Sequence, residues 1–212
     1  MSRWARLHGV TRDSRIRDTL ARRDRRVLRT RPSRAHTSTE MPTMLIADFR
    51  SEYARYRQLA EKALAQMPDA ELNRVPAPDT NSTAMIVRHM SGNLISRFTN
   101  FLTEDGEKPN RDRDREFDER PYTRAEVTEL WAKGFAALDE ALAPLTDADL
   151  ERTVTIRQQP MTVHAALSRS LAHLAYHVGQ IVLLARIHAA GPWESLSIPK
   201  GQSTQYNAAP SR

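Results

Sequence analysis

The sequence predicts an all-α fold, an antiparallel four-helix bundle. Three observations support this. Four segments carry apolar residues at helical spacing. Stretches containing proline, or Gly-Pro, separate them. Only seven glycines among 212 residues leave too few for a turn-rich sandwich or a glycine-rich phosphate loop.

The first segment runs from about Met44 to Met67, with Leu45, Phe49, Tyr53, Tyr56, Leu59, Ala63 and Leu64 forming an apolar stripe. Pro68-Asp69 ends it, and the proline-containing stretch 68–81 reads as a loop. Asn81 or Ser82 can cap the second segment, which extends to about Leu102. A charged loop, 104–122, follows; its length leaves the up-down order of the helices open. Thr123 with Glu126 forms a capping box for the third segment, which stops before Pro144. Val154, Ile156 and Gln158-Gln159-Pro160 suggest a short hairpin before the last helix. That helix runs from about Thr162 to Ala190, where Gly191-Pro192 stops it. Beyond it lies a polar stretch with Trp193 and Ile198 as possible anchors.

Composition divides the chain in two. Residues 1–40 hold twelve arginines, no lysine and four acids. Removing them from the 32 basic and 26 acidic residues leaves 20 and 22, so the basic balance of +6 belongs to the tail. Residues 1–40 are expected to be a disordered Arg-rich tail, with three readings open: a translated upstream region with the true start at Met41 or Met44, a basic arm touching nucleic acid or anionic lipid, or a targeting peptide. Residues 41–212 are expected to be the bundle. Their slightly acidic balance and lack of a recognition motif point away from nucleic acid. The longest apolar run, Ile181–Ala185, is far too short to span a membrane. With no cysteine, disulfides and thiolate chemistry of the protein's own are excluded. Without a secretory signal, a cytoplasmic location is expected.

The chemistry lies in the histidines. His173 and His177 stand four residues apart, about 40° apart around the helix and one turn along it. Two imidazoles so placed can converge on one ion, although the spacing also fits two partly buried core histidines. On the second segment, Ser82, His89, Asn93, Ser96 and Asn100 share one uncharged polar face. That face is either the wall of a wet cleft or the solvent side of the helix. As a cleft wall it would bring His89 to the pair, leaving a fourth position on the ion open, as in catalytic sites. His164 faces away from His173, and His188 lies about 16 Å beyond His177 by helix rise.

A histidine on the second helix, HxxxH on the fourth and Gln180 three residues after the last histidine resemble the DinB-like (YfiT-type) metal-binding four-helix bundle superfamily. The stretches Ile86–Arg97, Leu150–Val163 and Leu171–Arg186 look like an uncharacterised bacterial subfamily of it. The resemblance covers roughly residues 43–207 and none of the tail. It implies a four-helix core, often a homodimer, and a three-histidine site on His89, His173 and His177. Some relatives are thiol-dependent S-transferases or isomerases, and others are assigned as metal-dependent hydrolases.

The expected function is therefore a divalent-metal-binding protein, with zinc or nickel best suited to imidazole. It would act on a small molecule as a metal-dependent thiol S-transferase or a hydrolase. The alternative is a non-catalytic metal or small-ligand-binding stress protein. Unlike an HExxH helix, this one has Leu174, Ala175 and Tyr176 between its histidines, so it offers no carboxylate base. Tyr176, Asn93 and Gln180 are the candidates to orient substrate, each also readable as a packing or surface residue.

Overall fold

The computed structural model describes residues 44–208; the expectation for residues 1–40 lies outside them. Four long helices form the bundle: α1 (Leu45–Ala65), α2 (Thr83–Phe98), α3 (Arg124–Leu142) and α4 (Val163–Ile187). A two-stranded antiparallel hairpin, β1 (Thr153–Ile156) and β2 (Gln159–Thr162), precedes α4. A short helix, α5 (Ser203–Ala208), falls in what the sequence presents as polar tail. No helix among the described residues is long and apolar enough to cross a membrane.

Local chemistry sets most helix starts. Ser82 accepts from the Met85 amide at the head of α2, Thr162 does the same for Ala165 in α4, and Thr123 and Glu126 make the predicted capping box of α3. α1 has no local side-chain cap, because Met44 carries no side-chain oxygen. The Asp147 carboxylate takes that role from afar, accepting from the Leu45 and Ile46 amides at 3.1 and 2.9 Å. Two helices end earlier than their apolar patterns suggest. α2 stops at Phe98 rather than Leu102, and α4 at Ile187 rather than Ala190. Left-handed Asn100 (φ 49°) turns the chain after α2.

Side-chain contacts fix the helix directions that the long loop left open. Tyr53 donates to the Leu167 carbonyl, Phe49 packs edge-on against His164, and Gln66 pairs with Glu194, so α1 and α4 run parallel. Arg88 donates to Tyr122, and Gly134 lies against Ser91, so α2 and α3 also run parallel. The two pairs oppose each other. The segment joining α2 to α3 must therefore travel back along the bundle, a crossover rather than a tight turn. Its contacts climb α2 in order: Gly106 at Ser96, Glu116 at Gly92 and His89, and Tyr122 at Arg88. The polar face of α2 is thereby covered from His89 to Ser96, with His89, Asn93 and Ser96 buried; Ser82 at the helix start is buried as well, and Asn100, beyond the helix end, is exposed.

The core between the helices is apolar and closed, with Tyr53, Leu94, Phe135, Leu167, Leu174 and Ile181 at 2% exposure or less. Gly134 permits its closest approach: a β-carbon there would lie 2.9 Å from the Ser91 Cα.

Candidate metal centre

His89, His173 and His177 come together, with one nitrogen from each within 4.8 Å of the others. The His173 Nε2 lies 3.1 Å from that of His177 and 3.4 Å from that of His89. Two nitrogens each about 2.05 Å from one tetrahedral zinc would be about 3.3 Å apart, so the spacing fits a shared ion. The donor set fits as well, since imidazole nitrogens suit zinc and nickel.

Each flanking histidine is held through its other nitrogen. His89 Nδ1 donates to Glu116 Oε2 at 2.8 Å, and His177 Nδ1 donates to Gln180 Oε1 at 2.8 Å. With Nδ1 carrying the proton, both Nε2 lone pairs point to the common centre. Phe117 packs over the His89 ring, centroid to centroid 4.8 Å. Burial alone would push the Glu116 carboxyl up, but hydrogen bonds from His89 and Arg111 outweigh it and hold the group below its ordinary value. Glu116 is therefore ionised near neutrality and can only accept. Burial first, then His177, His89 and the guanidinium groups of Arg111 and Arg97, push His173 down to about 4. His177 is lowered by burial as well. Both rings are thus neutral at pH 7, the form that binds a metal.

Arg111 extends the network. It meets both oxygens of Glu116, at 2.7 and 2.8 Å, and approaches Glu107 at 3.6 Å. Glu107 in turn pairs with Arg97 and Arg157 at 3.1 and 2.9 Å. Gly92 makes room for Glu116: a β-carbon at that position would sit 2.1 Å from Glu116 Oε1.

The hairpin closes one side of the site. Arg157 and Gln158, at φ 54° and 62°, make a two-residue turn with both residues left-handed, a conformation that normally asks for Asn-Gly. Asp105 of the crossover accepts from both turn amides, at 2.8 and 2.7 Å, and from Glu107 at 2.7 Å. Beside His89 and His173 lies a cavity of about 240 Å³.

The structure separates the three sequence-level candidates around the histidines. Asn93 is buried and lines the cavity. Gln180 bonds His177. Tyr176 is 63% exposed, edge-on to His177 and outside the cavity lining. His188 pairs with Glu71 at 3.2 Å, away from the site. Sequence reasoning missed Glu116 and Arg111. Both lie in the charged crossover, where Asp112, Asp114 and Glu119 offer the same chemistry and no periodicity marks the inward residue.

A family model described as "Protein of unknown function (DUF1572)" matches residues 40–202. Among solved structures, the chain is similar to a DinB-like protein from Bacillus cereus, with TM-score 0.54 and 21% identity over 71% of this chain and 97% of that one. It is also similar to a DinB-like protein from Bacillus subtilis, with TM-score 0.42 and 20% identity over 70% and 96%. The first likeness shows the fold, the DinB-like helical bundle. No curated protein sequence matches.

Proposed function

Given that the chain belongs to the DUF1572 family of proteins of unknown function, we propose that it binds one divalent metal ion, zinc or nickel, on His89, His173 and His177. We propose further that it is a metal-dependent transferase of small molecules that uses a low-molecular-weight thiol. The observation that carries the reading is the convergence of three Nε2 atoms, two of them aimed by hydrogen bonds from the opposite ring nitrogen. A bound ion would supply Lewis acidity toward a substrate oxygen or a thiol sulfur.

The chain's own residues supply the rest. Glu116 and Gln180 hold the two imidazoles in the ligating tautomer. Asn93 places a side-chain amide at the cavity wall beside His89, where it can orient a substrate oxygen. Among the described residues, no carboxylate lines the cavity, and both Glu116 oxygens are taken by His89 and Arg111. Base-assisted hydrolysis, the second reading, therefore lacks a base, whereas a thiol needs only to be held and directed.

The test is turnover by the full chain, loaded with zinc or nickel, on small electrophiles with glutathione, cysteine or coenzyme A, and on esters without thiol. Thiol-dependent product that disappears in a His173→Ala/His177→Ala variant is expected. Ester cleavage alone would favour the hydrolase. Retained metal with no turnover would assign the non-catalytic metal or small-ligand binder. The homodimer belongs to the same proposal. Tyr176, Leu183 and Ile187, exposed on one strip of α4, would supply its surface. Sedimentation at the monomer mass would count against it.

A further inference from the structure

Outside the histidines, the most unusual feature of the described residues is where the positive charge sits. Residues 41–212 are slightly acidic as a whole, yet five arginines from four parts of the chain line one cavity. Arg97 comes from the last turn of α2, Arg111 and Arg113 from the crossover, Arg157 from the hairpin turn and Arg169 from α4.

Three carboxylates serve this group. Glu107 is shared by Arg97, Arg157 and Arg111, and Glu116 binds Arg111. Arg113 reaches only the fully exposed Asp114, at 3.9 Å. Arg169 has no carboxylate within salt-bridge distance among the described residues. Five guanidinium groups against three carboxylates, one of them the solvent-exposed Asp114, leave an excess of positive charge facing one concave space, a field that draws and holds anions. Guanidinium is also the side chain that grips carboxylate and phosphate through paired N–H donors.

Phe98, Phe101 and Ile156 give the cavity an apolar patch, beside the polar Asn93, Ser170 and the histidines. A volume of about 240 Å³ is room for about eight waters at ~30 Å³ each, the size of a small metabolite. A ligand with a short apolar body and an anionic end matches the apolar patch and the arginines.

We propose that this cavity binds a small organic anion by its carboxylate or phosphate group, with Arg157 and Arg169 as the principal contacts. This deepens the function proposed above, and rests on it for the position of the reacting group beside His89 and His173. Anion binding itself does not need the metal. Arg157 and Arg169 are exposed and sit at the rim, so they can be changed without opening the core.

The experiment is calorimetric titration of the full chain, both zinc-loaded and chelator-treated, with benzoate and phenyl phosphate as anionic probes. Benzamide serves as the neutral isostere of benzoate. The expected result is saturable binding of at least one anion, about tenfold or more tighter than benzamide. That binding should weaken at least about tenfold in Arg157→Gln/Arg169→Gln and fall with salt, while Arg186→Gln on the far end of α4 leaves it unchanged. Anions that bind no better than benzamide would overturn the proposal, as would anion binding that survives the double substitution. Zinc binding without anion discrimination removes this inference alone, and anion binding without any zinc removes the metal reading alone.

Discussion

Glu116 and His89 are 27 residues apart in the chain and 2.8 Å apart in the fold, carboxylate to Nδ1. The crossover places that carboxylate behind an imidazole whose other nitrogen faces two more histidines. A buried carboxylate at this position fixes the tautomer and orientation of a ligand and raises its basicity.

Replacing Glu116 with Gln keeps the shape and removes the charge. Metal affinity, measured by competition with a chelator, is expected to fall about 10–100-fold, the usual cost of losing such a partner. Affinity within a factor of about two of wild type would show that the carboxylate serves only Arg111.

Two glycine substitutions should have opposite effects. Gly→Ala in a helix normally stabilises by roughly 0.5–1 kcal/mol. A β-carbon added at Gly179 in α4 would meet nothing within 4 Å, so Gly179→Ala should follow that rule in urea unfolding. Gly92→Ala should reverse it and weaken metal binding, because its methyl group would overlap the Glu116 carboxylate. A stabilised Gly92→Ala with unchanged metal affinity would remove Glu116 from the account.

The hairpin turn carries two left-handed non-glycine residues, a conformation that costs an L-residue roughly 1–2 kcal/mol. Gln158→Gly is expected to stabilise the protein by up to about 1 kcal/mol through relief of that cost. Asp105→Ala should destabilise it, since both turn amides lose their acceptor. The Asp105 carboxyl is held down at about 2 by the amide of Glu107 first and then that of Gln158. Its contribution is therefore present above the ordinary aspartate range and disappears only as pH falls toward 2.

A separate pH dependence follows from the histidines. In the metal-free protein His173 sits at about 4, against 6.5 for a free imidazole, and His177 is also lowered. As pH falls below 6.5 the unfolded chain takes up protons at these rings while the folded chain does not. Stability is thus fully present above 6.5 and is lost on acidification toward 4. The melting temperature with chelator present should drop over this interval, and the drop should be shallower in His173→Gln. Identical slopes in the two proteins would mean that His173 is not held neutral by the fold.

The bundle was legible because its helices announce themselves. Tyr53, Leu64, Val87, Leu94, Leu167, Leu174 and Ile181 repeat at helical period, and Ser82, Thr123 and Thr162 mark starts that hydrogen bonding then realises. The three histidines were legible because helix geometry converts spacing into a shared face. The polar stripe of α2 was ambiguous, since Ser82, Asn93 and Ser96 suit a solvent face as well as a covered one. Only the path of the crossover decides, and a charged irregular segment has no period from which to read it. The missing cap of α1 and the role of Asp105 share that character. In both, a lone carboxylate acts across a long stretch of sequence on amides that no local pattern identifies.

The most direct test of the central claim is elemental analysis of the full chain, purified without a histidine tag, beside the His173→Ala/His177→Ala variant. The account predicts about one zinc or nickel ion per chain, absent from the variant. A wild-type protein that carries no metal and takes up neither ion from excess would contradict it.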